Sequence, residues 1–131
     1  MSTINRFEDL EIWQLSRFLC KEINMIIHSN AFRNDFTLIN QIKGSSGSIM
    51  DNIAEGFERG GNKEFSQFLS ISKGSAGESR SQLYRAFDNS YITEDQLKDL
   101  RKRLIQLSSK ISNMMSYIKQ SEYKGTKYKS K

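Results

Sequence analysis

Apolar residues recur along this chain every three, four or seven positions, the period of one helix face, and no run alternates as a half-buried strand would. Four segments follow from that pattern. The first, at about 9–29, has a stripe of Leu15, Phe18, Leu19, Ile23, Ile26 and Ile27, widened by Ile12 and Trp13, with Phe7 placed to fold back on its first turn. The second, 36–58, turns Leu38, Ile39, Ile42, Ile49, Ile53 and Phe57 inward behind a cap at Asn34 or Asp35. The third, 63–88, is expected to start from an Asn62 cap and to bury Phe65, Phe68, Leu69, Ser72, Ala76, Leu83, Ala86 and Phe87. The fourth, 94–121, is the most regular, with Leu97, Leu104, Ile111 and Ile118 alternating with Leu100, Leu107 and Met114. Thr93 and Gln96 make a capping-box pattern ahead of it.

The links between segments are short, Gly60 and Gly61 supply the permissive backbone of a helix end, and proline is absent. The expected fold is therefore all-α: an up-down-up-down antiparallel four-helix bundle over residues 1–122, followed by a basic tail, 123–131. Within the second and third segments lie two small-residue blocks, 44–48 and 74–77. A tight hairpin at 60–61 sets residues whose numbers sum to about 121 at equal height, so Gly44 meets Gly77 and Gly47 meets Gly74. Interior glycines cost roughly 1 kcal/mol each against alanine. Close backbone packing of the two helices at these four glycines is the compensation the sequence suggests.

Composition narrows the class. The chain has 131 residues, 37% hydrophobic and 27% charged, enough for one domain with a core. One cysteine, Cys20, forbids an internal disulfide, and no apolar run approaches the ~18 residues of a membrane span, so a cytoplasmic protein is expected. The net charge of +5 is unevenly placed. Residues 1–92 hold ten basic against eleven acidic side chains, and residues 93–131 hold ten against four. Anionic partners should therefore be sought in the last third.

The motif Phe7-Glu8-Asp9-Leu10-Glu11-Ile12-Trp13 resembles the opening of the bacterial four-helix bundle protein family, which includes the 23S rRNA intervening-sequence proteins, also called S23 ribosomal proteins. The stretch from Ser48 to Gly60, with its Asn52-Ile53-Ala54-Glu55-Gly56 box, is similar to that family's core, and Glu64, Phe65, Phe68, Leu69, Lys73, Gly74, Ser75, Glu78, Tyr91 and Ile92 continue the match. Gly44, Ser45 and Ser46 depart from it, at positions where the family often has Arg or Ala. The resemblance implies a four-helix bundle similar to the accessory variability protein of diversity-generating retroelements. That relative is a homopentameric barrel that binds nucleic acid and a reverse transcriptase. A homo-oligomer, with a pentamer preferred, is thus what the resemblance implies for this chain.

Two constellations remain as candidate sites. Lys43, Asn52, Glu55, Arg59 and Glu78 form a polar group around the hairpin, either a network fixing helix register or a subunit contact, or a patch for a ligand. Lys98, Arg101, Lys102, Arg103 and Lys110 on the fourth segment, with Lys124, Lys127 and Lys129 in the tail, suit RNA or DNA phosphates, and Tyr123 and Tyr128 could stack on bases. The alternative is a charged face that docks a protein such as a polymerase. Paired apolar positions on the first and fourth segments, Met25 beside Ile26 and Ile27, and Leu104 beside Ile105, point to assembly with further copies. His28 is the only histidine and no carboxylate pair stands out, so neither a metal site nor an enzyme is expected.

Overall fold

A computed structural model describes residues 4–120; the predicted tail, with Lys124, Lys127 and Lys129, lies outside them. Four helices form the bundle: α1 (Glu11–Ile27), α2 (Phe36–Glu58), α3 (Asn62–Asp88) and α4 (Glu94–Gln120). Short 3₁₀ turns, Phe7–Asp9 and Asn30–Phe32, precede α1 and α2. Each helix packs on its chain neighbour, and α1 closes the ring against α4. The core runs the length of the bundle through Ile23, Ile42, Ile53, Phe65, Leu83, Leu104 and Ile111, all fully buried.

The ends follow from local chemistry. Asp35 caps α2, its Oδ1 accepting from the Leu38 N–H at 3.2 Å. Gly60 takes φ +83° just past α2, the left-handed stop that glycine adopts without strain. The Thr93–Gln96 box closes in both directions, at 2.9 and 3.1 Å. Asn62 does not cap α3: Gly61 holds the cap position, and the Asn62 side chain instead donates to the Ile118 carbonyl of α4 at 3.5 Å. Helix α1 starts two residues later than expected, because Phe7–Asp9 closes as a separate turn and Leu10 stays extended. Phe7 does fold back, its ring 5.1 Å from that of Trp13.

Two expectations about facing are corrected. Leu15 and Phe18 are exposed, 37% and 64%, not buried. The inward row of α1 is Ile12, Ser16, Leu19, Ile23 and Ile27, with the Ser16 hydroxyl donating to the Ile12 carbonyl at 2.6 Å. A serine that satisfies itself inside its own helix can occupy a core position, which rotates Leu15 and Phe18 outward.

The second correction concerns the hairpin. Helices α2 and α3 pack closely and in the expected register, Ser72 Oγ donating to the Ile49 carbonyl at 2.8 Å. However, Gly44, Gly47, Gly74 and Gly77 do not make the contact: a Cβ on any of them would meet nothing within 4 Å. The seam is built of serines. Ser75 donates to Ser48 at 3.0 Å, Ser45 pairs with Ser79 at 2.8 Å, and Ser45 donates to Gln82 at 2.6 Å. Buried hydroxyls must find partners, so these side chains face each other and the glycines beside them turn outward. The one glycine of α2 and α3 in close approach is Gly56, whose Cβ would lie 2.6 Å from that of Phe68.

Candidate nucleic-acid interface

Helix α4 has two flanks, and the predicted basic residues divide between them. On the α1 flank Arg103 forms an ion pair with Glu22, and a second with Asp99 at 3.4 Å; Lys110 pairs with Glu11 at 3.2 Å. The hydrogen bond to Glu22 raises the Arg103 pKa further above its ordinary value. These two cations are partnered within the bundle and are not part of one continuous basic face.

The α3 flank is different. Arg101 donates to the Tyr84 hydroxyl at 3.0 Å, and at the far end Ser66, Ser70, Met115 and Lys119 line a shared groove of about 590 Å³ with Asn62, Lys63, Gln67 and Ile118. The Arg101–Tyr84 contact sums to 185 and the Asn62–Ile118 contact to 180, so residues of α3 and α4 whose numbers sum to about 180–185 lie at similar height. Helical spacing then places Lys63, Lys73, Arg80 and Tyr84 along α3, opposite Arg101, Ile105, Ser108, Ser112 and Lys119 along α4, with Lys102 on the outer edge. Lys98 lies just beyond, 3.8 Å from Glu94.

Between the heights of Arg101 and Lys119 no carboxylate interrupts this face among the described residues, while Asp88 of α3 and Glu94 of α4 stand just past its Arg101 end. Residues 101–119 contain neither Asp nor Glu. The two glutamates of α3 in that span, Glu64 and Glu78, share the opposite flank, since Glu78 lies between Ser75 and Gln82, both bonded to α2. From Arg101 to Lys119 the face runs about 27 Å at 1.5 Å per residue. Lys63, Lys73 and Arg80 do not stand out in the sequence because α3 holds four basic against three acidic residues, although their spacing of ten and seven residues marks one side of a helix.

The polar group around the hairpin resolves into local pairs. Asn52 donates to the Ser48 hydroxyl and carbonyl, both at 2.8 Å. Arg59 pairs with Glu55 at 2.8 Å and lies 5.1 Å from the Phe68 ring centre. Lys43 and Glu78 are exposed and form no ion pair with each other. Cys20 is half-buried beside Asn24 and Ser46, and burial pushes its thiol pKa up, which keeps it protonated and unreactive. Among the described residues no group of three or more His, Cys, Asp or Glu converges as a metal site would require, and no helix is long and apolar enough to cross a membrane.

On the opposite side, α1 leaves Leu15, Phe18 and Met25 exposed in one row, and Leu15 and Phe18 border a groove of about 290 Å³ against Arg103, Gln106 and Lys110 of α4. Three comparisons bear on this architecture. A crystal structure of a protein of unknown function from the S23 ribosomal protein family of Bacteroides thetaiotaomicron superposes with a TM-score of 0.74, covering 80% of this chain and 95% of the other at 21% identity. No curated protein matches the chain. The family model described as 23S rRNA-intervening sequence protein matches residues 8–127. With that match spanning nearly the whole bundle, the chain belongs to the 23S rRNA-intervening sequence protein family.

Proposed function

We propose that this chain is a non-enzymatic, cytoplasmic, oligomeric bundle protein that binds nucleic acid, RNA foremost, over its outer α3–α4 face. The observation that carries this reading is the segregation of charge: Lys63, Lys73, Arg80, Arg101, Lys102 and Lys119 share a face without a carboxylate, while Arg103 and Lys110 are neutralised against α1. Such a face releases counterions from a phosphate backbone, giving affinity that falls steeply with salt. Residues 121–131 add four lysines and one glutamate to the chain's basic balance.

Assembly is supported by the α1 row. Leu15, Phe18 and Met25, with Met25 69% exposed, form an exposed apolar row, broken once by the ion-paired Glu22, that a second copy would cover, and copies joined there would repeat the basic face. A pentamer rests on the motif resemblance alone. The test is affinity for RNA measured against salt, with particle mass from light scattering. Binding that weakens linearly on a logarithmic salt axis supports the reading; indifference to salt, or a 15.2 kDa particle at micromolar concentration, contradicts its two halves in turn.

A further inference from the structure

The outer α3–α4 face presents more than charge. Near its Arg101 end, Tyr84 and Ile105 remain 40% and 44% exposed, an apolar pair separate from the exposed row of α1 and from Phe36 and Ile71. They are neighbours across the seam: Tyr84 faces Arg101, and Ile105 stands one helical turn beyond Arg101, at the height of Arg80. The Tyr84 hydroxyl accepts from Arg101 at 3.0 Å, which fixes the ring in place ahead of any ligand. Arg80 and Arg101 flank the pair, Lys102 stands on its outer edge, and Asp88 lies one turn from Tyr84 toward the helix end.

An exposed ring set among guanidinium and ammonium groups suits one arrangement in particular. An unpaired base stacks on the ring and the aliphatic side chain, while its phosphates meet the cations. A duplex keeps its bases stacked on each other and offers this patch only phosphate, so the apolar surface would stay unused. Ile105 adds apolar area beside the ring, which charge steering alone would not require.

Resting on the reading that this face binds nucleic acid, we propose that Tyr84 and Ile105 form a stacking platform for an unpaired base, so that the ligand is a single strand or loop and not a duplex. The experiment is fluorescence anisotropy at fixed salt, using labelled single strands of RNA and of DNA and blunt duplexes of equal length. Single strands should bind at least about fivefold tighter than duplexes. Tyr84→Ala should remove that preference through a roughly five- to tenfold loss on single strands, with the salt slope unchanged. Tyr84→Phe, which keeps the ring, should retain it, and circular dichroism verifies that both variants fold.

Equal affinity for duplex and single strand overturns the proposal, as does full single-strand binding by folded Tyr84→Ala. A change in particle mass on Tyr84→Ala with binding unaltered also overturns it, and assigns the patch to a contact between copies. In each of these cases weakened binding by Arg80→Gln and Lys73→Gln leaves the nucleic-acid reading standing. If no strand of either kind is bound, both fall together. The RNA and DNA arms tell which sugar the platform favours.

Discussion

Gly56 lies against Phe68 so closely that a Cβ on the glycine would sit 2.6 Å from the Cβ of the phenylalanine and 3.1 Å from the Phe65 ring. The chain turns at this end of the α2–α3 hairpin, and the glycine lets the two helices approach. Gly56→Ala should destabilise the protein by about 2 kcal/mol, because neither atom is the loose end of a flexible side chain. Gly44→Ala and Gly74→Ala, where the space is open, should instead stabilise by up to about 1 kcal/mol each through helix propensity. Urea denaturation of the three variants distinguishes the outcomes; a stabilised Gly56→Ala would mean that the helices can part at no cost.

Ser45 joins the hairpin from the inside. Its one proton goes to the Gln82 carbonyl oxygen at 2.6 Å, so it accepts from the Ser79 hydroxyl at 2.8 Å, with all three residues buried. Ser45→Ala leaves the Gln82 carbonyl oxygen and the Ser79 hydroxyl short of a partner, at a cost of about 1–3 kcal/mol. Adding Ser79→Ala should cost less than the two single changes summed, because the second removal deletes a group already unpaired. Additive losses in a double-mutant cycle would show that the hydroxyls act independently.

Arg103 and Arg80 belong to different chemistry despite equal charge. Arg103→Gln breaks partly exposed pairs with Glu22 and Asp99 and should cost at most about 1 kcal/mol of stability while leaving nucleic-acid affinity intact. Arg80→Gln should do the reverse, sparing stability, weakening binding and reducing the salt slope by about one phosphate contact. The comparison needs only melting curves and one salt titration per variant. Equal loss of binding from both changes would show that the interface extends over both flanks of α4.

Tyr91 links one contact of the bundle to alkaline pH. Its hydroxyl donates to Asp35 at 2.9 Å, a bond that raises the phenol pKa above its ordinary value of 10.0 and ties the α3–α4 link to the cap of α2. Because the folded state holds this proton more tightly, the contribution is whole below the ordinary phenol pKa. It is lost as pH rises through the raised one. Tyr91→Phe should therefore lower stability at neutral pH and flatten its decline above about pH 10. Denaturation midpoints measured from neutral to strongly alkaline pH give the answer; an unchanged alkaline slope would dissociate Tyr91 from that decline.

Much of the architecture was legible before any coordinates. The heptad of α4, the Thr93–Gln96 box, the Asp35 cap and the Gly60 stop are set by neighbours within one or two turns, so local sequence states them directly. The hairpin register was legible too, since a short turn leaves few ways to align α2 with α3. Of the basic site, Arg101 and Lys102 were legible as an outward stripe; their company with Lys73 and Arg80 was not, because that depends on which helix lies beside α4.

What the sequence determined by itself is the number of helices, their approximate ends, their order and the presence of an uncommitted positive charge. What only the tertiary structure decided is how each helix is rotated about its own axis. On α1 two apolar rows overlap, and on α2 serines stand beside glycines, so periodicity permits either to face inward. The choice falls to whichever facing leaves no buried hydroxyl unpaired and no closer packing unused, a condition that involves three helices at once. That same rotation sends Arg103 to Glu22 and leaves Arg101 beside Tyr84, which is why the proposed binding face became visible only in the folded chain.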